Sequence, residues 1–156
     1  MSEIETSYRG TSYMKLPHED KVLRSNALRE LISCGKIIGY TIDIGLNYYR
    51  GLPLSSIERL EILVDGNVLP VENLLVELNE KLFLVDHLPL AFTEFWGVKH
   101  NLRIRVASSD GLAPGKHHIS VRLELRNPYS EIAPGEWGQI DGSAERELEL
   151  QRGEAQ

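Results

Sequence analysis

The segment best suited to recognition chemistry is Asn47-Tyr-Tyr-Arg-Gly-Leu-Pro-Leu-Ser55, which combines two tyrosines, an arginine, a glycine and a proline. Tyrosine and arginine are frequent anchors of binding surfaces, and the planar guanidinium of Arg50 can hold a carboxylate through two parallel hydrogen bonds. Glycine and proline favour a rigid turn. The pattern predicts either a recognition loop or a structural turn in which Tyr48 or Tyr49 caps the core and Arg50 pairs with a nearby carboxylate.

A second candidate segment, residues 127–141, contains two prolines, Pro128 and Pro134, and two glycines, and this composition predicts a long loop. The segment also carries Tyr129 and Trp137. Long loops with large apolar side chains are more often functional than decorative, so this one is a second candidate for recognition.

Metal binding by this chain alone is not predicted. Of the five histidines, only His117 and His118 are close in sequence. Neighbouring residues on a strand point to opposite faces, so these two cannot reach one ion without a bulge. We expect one histidine at the corner that leads into a strand and the other in solvent.

Catalytic motifs are also missing from the sequence. There is no Gly-x-Ser-x-Gly elbow, Cys-His signature or Gly-rich nucleotide loop. Cys34 is the single cysteine, so no intrachain disulfide can form. We expect its thiol to be a small buried or half-buried side chain and not a nucleophile.

The composition predicts one folded domain, because 42% of the 156 residues are hydrophobic and 26% are charged. Lys plus Arg is 17 and Asp plus Glu is 23, and the net charge of −6 argues against a nucleic-acid partner. No stretch approaches the roughly 20 apolar residues that span a bilayer. Residues 1–10 lack the apolar region of a secretory signal. With a single cysteine, these features predict a cytoplasmic protein without a membrane partner.

Alternation of apolar and polar residues predicts an all-β chain. The stretch from Ile38 to Leu46 alternates strictly and indicates a half-buried strand. Turn signals such as Asp65-Gly66 recur at a spacing of roughly 8–12 residues, which is typical of sandwiches. We therefore predict an antiparallel β-sandwich of the immunoglobulin or fibronectin type. The predicted core residues are Ile42, Ile44, Ile62, Val76, Ile104, Val121 and Leu123.

The pattern divides the chain into three regions. Residues 1–30 are mixed and polar and predict an irregular N-terminal arm, residues 31–150 form the sandwich with the long loop 127–141, and residues 151–156 form a flexible tail. Within the sandwich, the stretch that ends at His117 resembles an immunoglobulin-type corner. A ring near the strand start bonds back to the backbone there, and His117 takes that ring's place.

Four motifs, in this order, resemble the small β subunit of bacterial C-glycoside deglycosidases, and the resemblance runs from about Gly35 to Tyr129. The motifs are Gly39-Tyr-x-Ile-x-Ile44, Tyr48-Tyr-Arg-Gly-Leu-Pro-Leu-Ser-x-Ile57, Val64-Asp-Gly66 and Asp110-Gly-Leu-x-Pro-Gly-x-His117-x-Ile-x-Val121.

The resemblance implies a non-catalytic sandwich subunit bound to a larger α subunit. In that family the α subunit is a TIM barrel that carries the catalytic base and a divalent metal, typically manganese, so no cofactor is expected in this chain. The implied substrate is a 3-oxo-C-glycoside, whose C3 ketone makes the C2 proton acidic. A base removes that proton while the metal holds the enolate, and the aglycone leaves by elimination. Ordinary two-carboxylate hydrolysis does not apply, since carbon is a poor leaving group.

The tyrosine-rich loop and the resemblance together predict the face that meets the α subunit and borders its active site. The predicted residues are Tyr48, Tyr49, Arg50, Gly51, Pro53, Tyr129 and Trp137. Two other functions stay open on the residues alone. One is a stand-alone carbohydrate-binding module whose aromatic side chains stack on sugar rings, and the other is a structural subunit of some other barrel enzyme.

Overall fold

The alternating segments form β-strands in a computed structural model that describes residues 13–15 and 19–153. Within these residues one short α-helix, α1 (Glu19–Val22), and three 3-10 helices (Leu54–Ser56, Val71–Asn73 and Val85–Leu90) interrupt the strands. No helix of this part is long and apolar enough to cross a membrane. The strands are β1 (Tyr13–Lys15), β2 (Leu28–Ser33), β3 (Lys36–Ile44), β4 (Leu52–Pro53), β5 (Ile57–Val64), β6 (Asn67–Val68), β7 (Leu74–Leu78), β8 (Lys81–Leu84), β9 (Phe95–Trp96), β10 (Leu102–Ala107), β11 (Lys116–Ala133), β12 (Glu136–Asp141) and β13 (Ala144–Glu149).

Two sheets enclose the core. One has the strand order β2-β3-β10-β7-β8, and all its neighbouring pairs are antiparallel. The other has the order β1-β12-β11-β5-β6, with β13 beside the first part of β11. Its pairs are antiparallel except β1 with β12. Buried side chains of both sheets form one cluster, so the predicted all-β antiparallel sandwich is confirmed.

All seven predicted core residues lie in this cluster with at most 1% of their surface exposed. The strand register explains why alternation identified them. Ile104 pairs with Ile42 on one side and with Val76 on the other, so the three side chains share one face of the sheet. In the facing sheet Ile62 pairs with Val121. Each strand therefore contributes every second residue to the same core.

The predicted corner before β11 is confirmed as well. His117 Nε2 lies 2.7 Å from the carbonyl oxygen of Ala113, and His117 Nδ1 lies 2.7 Å from a carboxylate oxygen of Asp65. Burial lowers the pKa of His117, but its hydrogen bonds to Ala113 and Asp65 and the charge of Asp65 raise the pKa above its ordinary value overall. The hydrogen bond from His117, with that from the His118 backbone, lowers the pKa of Asp65. This contact joins the turn after β5 to the corner.

Part of the predicted irregular arm is structured. Residues 1–12 and 16–18 lie outside the described residues, but β1 pairs with β12 and α1 follows it. Val22, Leu23 and Ala27 are buried in the core. The prediction was wrong for residues 19–30. The four-residue helix and the turn after it are too short to show an apolar period, and β2 begins at Leu28, three residues before the predicted boundary.

The predicted long loop over residues 127–141 is a β-hairpin instead. Only Pro134 and Gly135 separate β11 from β12. Gly135 has a φ of 76°, a conformation that glycine adopts at little cost. Pro128 lies where the register of β11 shifts after Asn127, and a bulge does not need the ladder donor that proline lacks. Prolines and glycines thus marked a bulge and a tight turn, not a loop.

Cys34 is exposed, contrary to the expectation of a buried or half-buried thiol. With Gly35 it forms the two-residue turn between β2 and β3, in which Ser33 pairs with Lys36. Its φ of 52° is a turn conformation. The prediction failed because Cys-Gly is a weaker hairpin signal than Asn-Gly or Asp-Gly.

The segment after β12 joins the two sheets. β13 pairs with β11 in one sheet. Gln151 then reaches the edge of the other sheet, where its N–H donates to Leu28 and its carbonyl accepts from the N–H of Glu30, both at 2.9 Å. The predicted flexible tail is therefore hydrogen-bonded at its first residue, which forms a single bridge to the edge of β2 at Arg29.

Candidate recognition surface

The loop that follows β3 has a buried half and an exposed half. Asn47 and Tyr48 are 2% and 6% exposed, whereas Tyr49 is 73% exposed and Arg50 is exposed too. The rings of Tyr48 and Tyr49 contact each other with centroids 4.4 Å apart. Tyr48 therefore caps the core, as the structural interpretation required, while Tyr49 and Arg50 face solvent, as the recognition interpretation required.

Arg50 stacks on an aromatic ring instead of pairing with a carboxylate. Its guanidinium carbon lies 3.6 Å from the centroid of the Tyr129 ring, a close cation–π contact. The Tyr129 hydroxyl donates a hydrogen bond to the carbonyl of Gly51 at 2.9 Å. Across the described part of the chain, no carboxylate lies within ion-pair distance of Arg50. The two predicted segments are thus brought together, and among the residues that the structure describes the charge of Arg50 has no carboxylate to neutralise it.

A third aromatic side chain, which no sequence pattern singled out, borders the same place. β4 pairs with β9, so that Pro53 lies opposite Phe95. Phe95 is 51% exposed and lies against Gly51. A Cβ atom built on Gly51 would fall onto the Phe95 ring and lie 2.8 Å from the carbonyl oxygen of Trp96. Only glycine allows the two segments to approach this closely.

The sequence contained a partial signal for this strand. Phe92, Phe95 and Trp96 form an aromatic-rich stretch between residues 91 and 97. The stretch does not alternate, and the pairing with β4 decides which ring is buried. Trp96 is fully buried and its indole N–H donates to the carbonyl of His100 at 2.9 Å, whereas Phe95 faces out.

We call the four exposed side chains Tyr49, Arg50, Phe95 and Tyr129 the Arg50 surface. Tyr129 is 42% exposed, so each member presents a large area to solvent. An arginine among three exposed aromatic rings has the composition of an interface anchor. The guanidinium edge can bind a carboxylate or a carbonyl, and the rings can cover flat or apolar groups.

The remaining predicted interface residues lie beneath or beside this surface. Gly51 and Pro53 are half-buried and Tyr48 is buried, so Tyr48 supports the surface but cannot meet a partner there. Trp137 is half-buried on β12, where it pairs in register with Glu131. Among the described residues, none of the contacts that build the Arg50 surface involves Trp137.

Buried hydrogen bonds hold the loop on the β11–β12 hairpin. The side-chain amide of Asn127 donates to the hydroxyl of Tyr48 at 3.0 Å, and its carbonyl accepts from the backbone N–H of Tyr129 at 3.0 Å. The amide of Asn47 donates to the backbone carbonyl of Asp141 at 3.0 Å. Asn127 and Asp141 are 4% and 5% exposed. These buried hydrogen bonds therefore fix the loop that carries Tyr49 and Arg50 against the hairpin that carries Tyr129.

Residues 13–15 and 19–153 contain no group of three or more His, Cys, Asp or Glu side chains placed to hold a metal ion. The arrangement is suited to recognition.

Elsewhere, the outer face of β5 and β11 carries a network of ion pairs, which we call the charged ladder: Arg59, Glu61, Arg122 and Glu124. Arg59 contacts Glu61 at 3.2 Å and Glu124 at 3.1 Å, and Arg122 contacts Glu61 at 3.2 Å. Each arginine of this network therefore has a carboxylate of the sheet as its partner.

Comparison with known proteins matches residues 18–129 to the family described as C-glycoside deglycosidase beta subunit. A C-glycoside deglycosidase beta subunit of Microbacterium trichothecenolyticum is 32% identical over 100 residues, which cover 64% of this chain and 76% of that protein. A 3'-dehydrocarminate deglycosidase beta subunit of a Microbacterium species is 30% identical over 95 residues, which cover 61% of this chain and 71% of that protein. A C-glycoside deglycosidase beta subunit of Eubacterium cellulosolvens is 26% identical over 112 residues, covering 71% and 76%.

Proposed function

Because the chain belongs to the family of C-glycoside deglycosidase beta subunits, we propose that it is the accessory subunit of an enzyme that cleaves the carbon–carbon bond of 3-oxo-C-glycosides. In this proposal it forms a cytoplasmic hetero-oligomer with a TIM-barrel α subunit. That larger subunit holds the catalytic base and the divalent metal, typically manganese. One relative is named for 3'-dehydrocarminate, and this name supports a 3-oxidised sugar as the substrate class.

The proposed reaction is an elimination of the lyase type. The C3 ketone acidifies the neighbouring C2–H, and a general base removes that proton to give an enolate. The electron pair of the enolate then forms a C1–C2 double bond as the bond between C1 and the aglycone carbon breaks. The aglycone carbon takes up a proton, and the sugar leaves as an unsaturated ketone. None of these steps requires a nucleophile from the sandwich subunit.

The contribution of this chain is proposed to be the Arg50 surface, which would meet the α subunit beside its active site. The observation that carries this assignment is the exposed guanidinium of Arg50, which stacks on Tyr129 and has no carboxylate partner among the described residues. A charge of this kind favours a partner that offers an acidic side chain or a backbone carbonyl within an apolar surround. Lysine could not reproduce the bidentate geometry.

The test is co-expression of this chain with the proposed barrel subunit, followed by assay on a 3-oxo-C-glycoside. We expect co-purification of the two chains and turnover only when both are present. Turnover by the barrel subunit alone at the full rate would contradict the accessory role. Tight binding of a free sugar by this chain alone would instead support the stand-alone carbohydrate-binding module.

A further inference from the structure

We propose that Asn127 is a positioning residue that fixes the Arg50 surface in its binding shape before a partner arrives. This inference rests on the proposed function, since the partner is the α subunit. Asn127 is 4% exposed and therefore contacts no partner itself. Its effect on binding has to pass through the side chains that it holds.

Asn127 lies where β11 loses its regular register. The ladder with β12 is regular up to the pair of Asn127 with Gly138, and the next pair is Glu131 with Trp137. Three residues of β11 are therefore inserted between two neighbouring residues of β12, and Tyr129 is the middle one. A bulge of this kind re-aims side chains, so the direction of Tyr129 depends on what closes the bulge.

The side-chain amide of Asn127 closes this bulge and anchors it. The Oδ1 atom accepts the N–H of Tyr129 at 3.0 Å, which fixes the backbone two residues on. The Nδ2 atom donates to the hydroxyl of Tyr48 at 3.0 Å, which ties the bulge to the buried half of the loop. One buried amide therefore couples the two segments that carry the exposed groups.

Both members of the cation–π pair depend on this coupling. Arg50 follows Tyr48 and Tyr49 on the loop, and Tyr129 follows Asn127 on the bulge. The 3.6 Å stack of Arg50 on Tyr129 and the 2.9 Å hydrogen bond from Tyr129 to Gly51 require the two segments to keep their relative place. A surface ordered in advance loses less conformational entropy on binding.

The experiment measures the shape of the surface in the isolated chain and the affinity for the α subunit separately. The ring current of Tyr129 should shift the side-chain protons of Arg50 upfield in the NMR spectrum of the wild-type chain. We expect Asn127→Leu, which removes both hydrogen bonds, to abolish this shift. We also expect it to weaken binding of the barrel subunit about tenfold, the cost of ordering two side chains on binding.

Two further variants separate positioning from stability. Asn127→Asp keeps an acceptor for the N–H of Tyr129 and offers a carboxylate oxygen to the hydroxyl of Tyr48, so it should restore most of the shift and of the affinity. Ile104→Val lowers stability by removing a methylene from the core of the other sheet, and the folded fraction should keep wild-type shift and affinity. If Asn127→Leu does not fold, Tyr48→Phe takes its place. This variant removes the hydroxyl that Asn127 and Tyr49 contact and keeps the hydrogen bond from the N–H of Tyr129 to Asn127.

The proposal is overturned if a folded Asn127→Leu or Tyr48→Phe chain keeps both the upfield shift and the wild-type affinity. A lost shift with unchanged affinity would also overturn it, because the shape would then not matter for binding. Arg50→Ala distinguishes this failure from failure of the proposed function. If Arg50→Ala binds the barrel subunit as well as wild type does, the Arg50 surface is not the interface at all.

Discussion

The charged ladder and the Arg50 surface both have arginine on the outside of the same sandwich, but the arginine contacts carboxylates in the first and an aromatic ring in the second. In the charged ladder, Arg59 and Arg122 are neutralised by glutamates of neighbouring strands. In the Arg50 surface, Arg50 rests on a tyrosine ring with two further exposed rings nearby. The ladder is complete without a partner, because its charges are already paired. In the Arg50 surface, the guanidinium has no carboxylate partner within the described residues and the rings are exposed.

The difference follows from whether the backbone that carries each arginine is regular or irregular. Regular strands alternate, so their outward residues can be paired across the sheet within the chain itself. The Arg50 surface is built from a loop, a bulge and a two-residue ladder, none of which continues a regular pattern. Irregular backbone supported by buried hydrogen bonds therefore carries the side chains of the proposed interface, and the regular sheets hold it in place.

The largest expected effect is a difference in α-subunit affinity between a variant of the Arg50 surface and a variant of the charged ladder. Arg50→Ala should weaken binding of the α subunit by about 2 kcal/mol, roughly 30-fold, because a central arginine with aromatic neighbours is a typical hot spot. Arg122→Ala, the matched control, should leave binding unchanged and cost about 1 kcal/mol of stability at most, since exposed ion pairs contribute little. Isothermal titration with the α subunit and urea unfolding measure the two quantities. Equal affinities for both variants would remove the distinction between the two environments.

The next effect concerns the close approach of Gly51 to Phe95. Gly51→Ala should lower the free energy of unfolding by at least about 1 kcal/mol, because the new methyl group overlaps the Phe95 ring and approaches the carbonyl of Trp96. It should weaken α-subunit binding as well. The double variant Gly51→Ala, Phe95→Leu relieves part of the overlap and should recover stability but not binding. Urea unfolding of Gly51→Ala that coincides with wild type would show that the segments are not held this closely.

A smaller effect is the pH dependence of the His117–Asp65 pair. The raised pKa of His117 contributes stability that is fully present below about pH 6.5 and is lost as the pH rises through the folded-state value. The lowered pKa of Asp65 contributes stability present above about pH 4 and lost as the pH falls. Between these limits, the free energy of unfolding of wild type should exceed that of His117→Gln by the largest amount. The difference should be about 1 kcal/mol or less, since Asp65 is 46% exposed and solvent screens its charge.

The matched control for the loss of the His117–Asp65 pair is His118→Gln. His118 lies beside His117 and pairs with Glu145 at 2.8 Å, but both side chains are about half exposed or more, at 47% and 66%. Urea unfolding of His118→Gln should give a free energy of unfolding within about 1 kcal/mol of wild type, because exposed ion pairs contribute little. A flat difference between wild type and His117→Gln from about pH 4 to 8 would mean that the corner pair does not titrate with folding.

The smallest effect is expected at Cys34, which lies at the other end of β3 from the Arg50 surface. Cys34→Ser should change stability by less than about 0.5 kcal/mol, because the thiol is exposed in a turn. A bulky maleimide on Cys34 should leave α-subunit binding intact, since the nine residues of β3 place it about 30 Å away. The same label on Tyr49→Cys, in the Cys34→Ser background, should block binding. Inhibition by both labels, or by neither, would contradict the assigned interface.

The regular part of this fold was predictable, because alternation reports directly on which face of a strand is buried. Ile42, Ile104 and Val121 illustrate this, since each is an every-second-residue position in a paired strand. The irregular part was not predictable in the same way. Phe95 becomes a surface residue only through the pairing of β4 with β9, and no local period indicates a contact between residues more than 40 positions apart.

The candidate site was found in part, and for chemical reasons. Arg50 and Tyr129 were identified because their side chains suit recognition, and the structure brings them together. Sequence could not decide between Tyr48 and Tyr49, which point in different directions from adjacent positions. Asn127 was only the first residue of a predicted loop, because a buried amide that couples two distant segments leaves no mark on local composition.

The segment that reaches the edge of β2 affects the order in which the protein folds during synthesis. The Arg146 side chain donates to the carbonyl of Leu23 at 2.8 Å across 123 positions of the chain, and Gln151 closes the ladder beside Leu28. Contacts of such long range form late, since the chain between them has to be synthesised first. A nascent chain emerging from the ribosome therefore carries an open strand edge that can pair with other chains. The part of this edge at Leu28–Glu30 closes only after Gln151 has been synthesised and has reached it.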